Sequence, residues 1–191
     1  MCHTDAVTWA LIIGGIVVVL LLFGIYLFNR IVRLRNEVNT GWSNIDVQLK
    51  RRNDLIPNLV EAVKGYAAHE RGVFEQVTEA RAAMANASSP AAAGAADSLL
   101  GQAIGRLFAV AEAYPDLKAS QNFQLLQSEL TDTEDKISAA RRYYNATVQA
   151  YNTAIQTFPS LLFAGLFGFE AREFFAADQD DRAPVAVSFQ S

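Results

Sequence analysis

The chain has 191 residues, is 51% hydrophobic and carries a mild net charge of −4. That length allows one membrane anchor plus a soluble domain able to bury a core, and the small charge gives no field suited to nucleic acid or to an acidic partner. A lone cysteine, Cys2, and two histidines, His3 and His69, exclude an internal disulfide and leave almost nothing for a metal site, so no cofactor is expected.

After a short N-terminus of residues 1–5, Ala6 to Phe28 reads AVTWALIIGGIVVVLLLFGIYLF, with no charged residue. As a helix it covers about 35 Å, enough for a hydrocarbon core of about 30 Å. A cleaved secretory signal would want a basic start and a small-residue cleavage site, and neither is present. A retained, single-pass transmembrane helix over 6–28 is therefore expected, with the lipid bilayer as its first partner. Arg30, Arg33, Arg35, Lys50, Arg51 and Arg52 follow the run, against only Glu37 and Asp46. The positive-inside rule then puts the short N-terminus outside and the bulk of the chain in the cytoplasm.

No Pro or Gly falls between Gly24 and Gly41, so the anchor helix is expected to continue to Arg52. Ile31, Leu34, Val38, Trp42, Ile45 and Leu49 recur at steps of three and four, one apolar stripe on a helix. Asn53-Asp54 reads as a tight turn with Asp54 as N-cap and Pro57 in the next first turn. A continuous helix kinked at Pro57 is the other reading. A second helix is expected over Leu55–Asn86, with Glu70 as a buried or half-buried occupant of its stripe. Ala87–Gly94 carries loop signals. Asp97 can cap a shorter helix that stops at Tyr114-Pro115. The longest helix is expected over Ser120–Phe158, striped from Phe123 to Tyr151 at steps of three and four. Two Tyr-Asn pairs, Tyr144-Asn145 and Tyr151-Asn152, stand seven apart, as in a heptad seam. Only Val185–Phe189 has the pattern of a short strand. The fold class expected is all-α: a transmembrane helix continuing into an elongated antiparallel bundle of long, coiled-coil-like helices over 29–159.

Residues 160–191 are apolar, then acidic. Leu161–Phe169 is too short to span a bilayer. It either caps an end of the bundle or, through Phe163, Phe167 and Phe169, forms a patch for a partner or for lipid. Asp178–Asp181 argues against insertion into an anionic leaflet.

Several long stretches resemble the LemA family of bacterial proteins. They are Trp42–Arg52, Asp54–Glu61, Val63–Ala67 with His69-Glu70, Ala109–Lys118, Ala139–Asn145, Tyr151-Asn152 and Phe158-Pro159. The resemblance covers nearly the whole chain, with Asn53 standing where the pattern leads one to expect His and with an atypical C-terminal tail. It implies an N-terminal membrane helix, a cytoplasmic long-helix bundle and a link to bacterial membrane organisation, including organelle-forming systems. It brings no catalytic residue.

The residues themselves point the same way. His69-Glu70 lacks the second His that a zincin helix needs, since position 73 is Val. Lys50, Arg51 and Arg52 could meet phosphates, but the domain is acidic and has no basic face interleaved with aromatics, so nucleic acid is not expected. Arg30, Arg33 and Arg35 fix topology or touch anionic lipid. Trp42 and Ile45 read as core, while Asn44 and Asp46 face elsewhere and mark a contact surface. The function expected is a non-enzymatic, membrane-tethered scaffold that forms homo-oligomers. The alternative is an accessory subunit of a membrane protease or other membrane complex, with a membrane-protein partner.

Overall fold

The computed structural model describes residues 2–175. It is all helical, with no strand among the described residues. The elements are α1 (Cys2–Lys64), α2 (Arg71–Ala85), α3 (Pro90–Glu112), α4 (Pro115–Lys118), α5 (Gln121–Gln156) and α6 (Ser160–Phe167). The strand expected over Val185–Phe189 and the acidic run Asp178–Asp181 lie outside the described residues.

The expected turn at Asn53-Asp54 does not form. Helix α1 passes through it and through Pro57 without a break. A proline inside a helix forfeits one hydrogen bond and crowds the preceding turn, at roughly 3 kcal/mol. Ile56, Leu59 and Val63, all fully buried on one face, outweigh that cost, since burying each contributes about 1.5–3 kcal/mol.

The second helix begins later than expected. The chain leaves α1 at Lys64-Gly65 and turns through 65–70, where the Ala67 N–H donates to the Val63 carbonyl at 2.9 Å. Glu70 precedes α2, is exposed and does not cap it with its side chain, so the stripe expected across 55–86 is two stripes on two helices. The reversal lets Val63 and Val77 enter one core.

The expected loop at Ala87–Gly94 shrinks and shifts to the four residues 86–89. Ser89 is the N-cap of α3, its hydroxyl accepting from the Ala92 N–H at 3.2 Å, and Pro90 takes the first helical position. Asp97 therefore lies inside α3 and caps nothing there. Tyr114 is extended before Pro115, as residues preceding proline must be, and α4 is a single turn. The Ser120 hydroxyl then accepts from the Phe123 N–H at the start of α5.

Two compact units divide the chain. One holds residues 1–40 and 146–172, the other 41–145 and 173–191. The second unit contains the main core, drawn from α1 to α5, where Leu59, Leu100, Leu107 and Leu117 are fully buried. Phe108 and Phe123 meet edge to face there, with centroids 6.0 Å apart, the arrangement favoured by opposed ring quadrupoles. Along α5 the expected stripe is the buried one: Phe123, Leu130, Thr133, Ile137, Tyr144, Thr147 and Tyr151. Leu126 and Ala140 are half-buried. In the first unit α6 ends at Gly168, whose φ of 66° is left-handed, and the Phe169 N–H closes onto the Ala164 carbonyl at 3.0 Å.

Candidate functional site

The first surface is the anchor. Among the described residues α1 is the one helix long and apolar enough to cross a bilayer, with a mean hydropathy of 2.9 in its span. Leu11, Ile12, Ile13, Ile16 and the run Val17–Phe23 are all exposed. A continuous sleeve of exposed Leu, Ile and Val is far larger than the apolar patches that water-facing surfaces carry. It belongs in hydrocarbon, and the chain is a membrane-associated protein.

Helix α6 packs beside the C-terminal end of that sleeve. A methyl group at Gly24 would come within 3.1 Å of the Phe163 ring, so the glycine is what admits the ring. Phe28 meets Phe167 at 4.9 Å and Phe169 at 5.7 Å between centroids. The Arg35 guanidinium lies 5.5 Å from the centre of the Phe169 ring, in reach of a cation–π attraction. Phe163 and Phe169 are half-buried in this way, whereas Phe167 keeps an exposed edge. Arg30 and Arg33 are exposed.

Arg35 also lines a small polar hollow of about 200 Å³ with Tyr151, Gly168, Phe169, Glu170 and Arg172. Burial pushes the Tyr151 phenol above its ordinary value, Arg172 and Arg35 pull it back, and Glu170 adds to the rise. Arg172 is held by its backbone. The Asn152 amide accepts from the Arg172 N–H at 2.8 Å and donates to the Arg172 carbonyl at 2.9 Å.

In the second unit the same device recurs. Asn145 accepts from the Phe175 N–H at 2.9 Å and donates to its carbonyl at 3.2 Å. Tyr144 donates to the Glu173 carbonyl at 2.8 Å. Trp42 packs against Tyr144 and Phe175, with centroids 5.8 and 6.5 Å away. Each Asn side chain thus offers one donor and one acceptor to the backbone of a single residue, as a neighbouring strand would. The Tyr-Asn repeat was visible in the sequence, but its partners were not.

The basic trio separates. Lys50 is exposed, and Arg51 pairs with Glu129 on α5. Arg52 is only 6% exposed and is taken up on both sides: Nη1 donates to Asp97 at 2.7 Å and Nη2 lies 2.8 Å from Glu134. A buried guanidinium has to find such partners, and its planar fork can serve two carboxylates at once. Gly101 leaves the room, since a Cβ there would stand 3.3 Å from Nη2. Arg52 is thereby committed inside the protein rather than to a phosphate. Asn44 and Asp46 are exposed. Asp97, Glu129 and Glu134 escaped sequence reasoning because they lie 45 to 82 positions from their partners, beyond any local spacing rule.

A shallow cleft of about 350 Å³ runs between α2 and α3, with Gln76, Glu79, Leu99, Gln102 and Arg106 on its walls and a hydrogen bond from Arg106 to Gln76. Among the described residues no three His, Cys, Asp or Glu converge to hold a metal ion. His69 is exposed beside the Gly65–Glu70 turn.

Magnetosome protein MamQ sequences are similar to this chain. The one from Magnetospirillum gryphiswaldense is 27% identical over 184 residues, covering 83% of this chain and 68% of its own length. MamQ 2 of Paramagnetospirillum magneticum is 26% identical with the same coverage. "Protein LemA" of Metamycoplasma hominis is 28% identical over 179 residues, covering 88% of this chain and 80% of its own. None of these names is an enzyme's. The LemA family model matches residues 41–189, most of the chain, and the protein belongs to the LemA family.

Proposed function

We propose that the chain is a non-enzymatic scaffold, anchored in a bacterial inner membrane with its N-terminus outside, that assembles with copies of itself and takes part in organising the membrane. The observation that carries this reading is α1. The helix that spans the bilayer is the same unbroken helix, Cys2–Lys64, that opens the bundle. A scaffold gains from that continuity, because its contact surface is joined to the anchor without a linker. The magnetosome names of two relatives support a role in membrane organisation, and the apolar side chains left on the bundle surface, Val47, Leu99 and Leu125 among them, support association.

Crosslinking in intact membranes tests the proposal. A ladder at multiples of the 20.9 kDa chain is expected. A single monomer band would remove self-assembly. A stoichiometric heteromer with a membrane protease would replace it by the accessory role.

A further inference from the structure

We infer that α6 is a second membrane-contact element: a short re-entrant helix seated in the leaflet at the C-terminal end of the span, with its Leu161–Leu162–Leu166 side in the acyl chains. The two rows of contacts give its depth and direction. Phe163 packs on Gly24 and Phe167 on Phe28, four residues apart on both helices, so α6 runs the same way as the anchor. At 1.5 Å per residue, Gly24 stands about 9 Å to the apolar side of Arg30. The start of α6 and the Phe158-Pro159 corner before it reach deeper still. Phe167, opposite Phe28, stands about 3 Å to the apolar side of Arg30, so α6 falls within the depth of the span itself.

The composition agrees with the depth. α6 reads SLLFAGLF, without a charge, and one side of it is already used against the anchor. The other side is bare: Leu162 is 64% exposed, Leu166 77% and Phe158, at the corner, 80%. These side chains continue the exposed sleeve of the span instead of forming an isolated patch in water. No lone apolar face of this kind would persist beside a bilayer without entering it, because each residue gains by leaving water.

Backbone groups set the harder condition, since hydrocarbon offers them no partner. The turn meets it. The Leu161 N–H donates to the Thr157 carbonyl at 2.9 Å, the Leu162 N–H to the Pro159 carbonyl at 3.2 Å, and Pro159 has no N–H to satisfy. At the other end the left-handed Gly168 lets the Phe169 N–H return to the Ala164 carbonyl. The chain then leaves the apolar zone at Phe169, where the Arg35 guanidinium covers the ring and the polar hollow of Tyr151, Glu170 and Arg172 begins. An apolar turn followed at once by Arg, Tyr and Glu is the order in which a bilayer presents acyl chains and then headgroups.

The inference rests on the anchor being embedded, and the test separates the two. The full chain with Cys2→Ser is reconstituted in phosphatidylcholine vesicles, and a nitroxide is attached at Leu162→Cys, Leu166→Cys or Phe158→Cys in turn. Leu20→Cys reports the span and Val47→Cys the water-facing bundle. Collision with oxygen, which concentrates in acyl chains, is compared with collision with a water-soluble nickel chelate. Oxygen collisions exceeding nickel collisions several-fold at the α6 positions, as at Leu20, are expected. Nickel exceeding oxygen at those positions while Leu20 stays lipid-like would overturn the inference alone. Low collision rates with both probes would place α6 in a protein contact, a second copy or another partner, and would overturn it too. Water exposure at Leu20 would sink the anchor itself. Three positions at opposite ends of the turn guard against one substitution disturbing the fold.

Discussion

Asn152 holds Arg172 by the backbone, accepting from its N–H at 2.8 Å and donating to its carbonyl at 2.9 Å. Both halves of the side-chain amide are used on one residue, so a side chain on a helix pairs with a backbone as a strand would. Each bond contributes about 0.5–1.5 kcal/mol net. Asn152→Leu removes both, and the Arg172 amide is expected to exchange with solvent deuterium roughly tenfold faster for each 1.4 kcal/mol lost. Asn152→Asp keeps the acceptor and loses the donor, so its effect falls between the two. Equal protection in Asn152→Leu and the parent chain would show that the clamp does not hold the segment.

The Arg52–Asp97 pair makes a different prediction because it is buried. Asp97→Ala leaves the guanidinium with Glu134 alone, and breaking a buried pair from one side costs about 3–5 kcal/mol. Arg52→Lys is not a rescue, since a point-like ammonium cannot present two nitrogens to two carboxylates. The double variant Arg52→Met/Asp97→Leu removes the buried pair and leaves only the half-exposed Glu134 to turn towards water, so it is expected to recover part of the loss. Gly101→Ala gains about 1 kcal/mol of helix propensity but pushes on Nη2 at 3.3 Å, so the two offset and a net change below about 1 kcal/mol is expected. Denaturant midpoints in detergent read all four. A double variant no better than Asp97→Ala would mean that the network is specified by more than its charges.

Tyr151 ties stability to alkaline pH. Burial favours the neutral phenol and holds its proton above the ordinary value of 10. Because the folded chain binds this proton more tightly than the unfolded one, the contribution is intact below pH 10 and is lost as pH climbs through the folded value. Absorbance titration of phenolate is expected to contain a step above pH 10 that Tyr151→Phe removes without changing stability at pH 7. An unchanged titration in Tyr151→Phe would assign the late step elsewhere.

The sequence was most readable where one periodicity ran long. The anchor, the α1 stripe through Ile45 and Leu49, and the α5 stripe from Phe123 to Tyr151 follow from spacing alone, because each buries one continuous face. It was least readable where local signals competed with distant burial. Asn53, Asp54 and Pro57 spell a turn, yet Ile56 and Leu59 hold the helix together through it. Glu70 sits at helical spacing but marks a reversal, which only the shared core of Val63 and Val77 explains. Ser89-Pro90 starts α3 seven residues before Asp97, whose carboxylate serves Arg52 instead. The candidate surface divides in the same way. The basic trio is adjacent in sequence, but Arg51 and Arg52 go to Asp97, Glu129 and Glu134, which no short-range pattern connects to them.

Alkaline carbonate extraction of membranes carrying the full chain tests the central claim most directly. High pH strips proteins held by charge or by surface contact, while a span of exposed Leu, Ile and Val keeps its hold on hydrocarbon. The full chain is expected in the membrane pellet, and loss of residues 6–28 is expected to release it. Intact chain recovered in the supernatant would contradict the account.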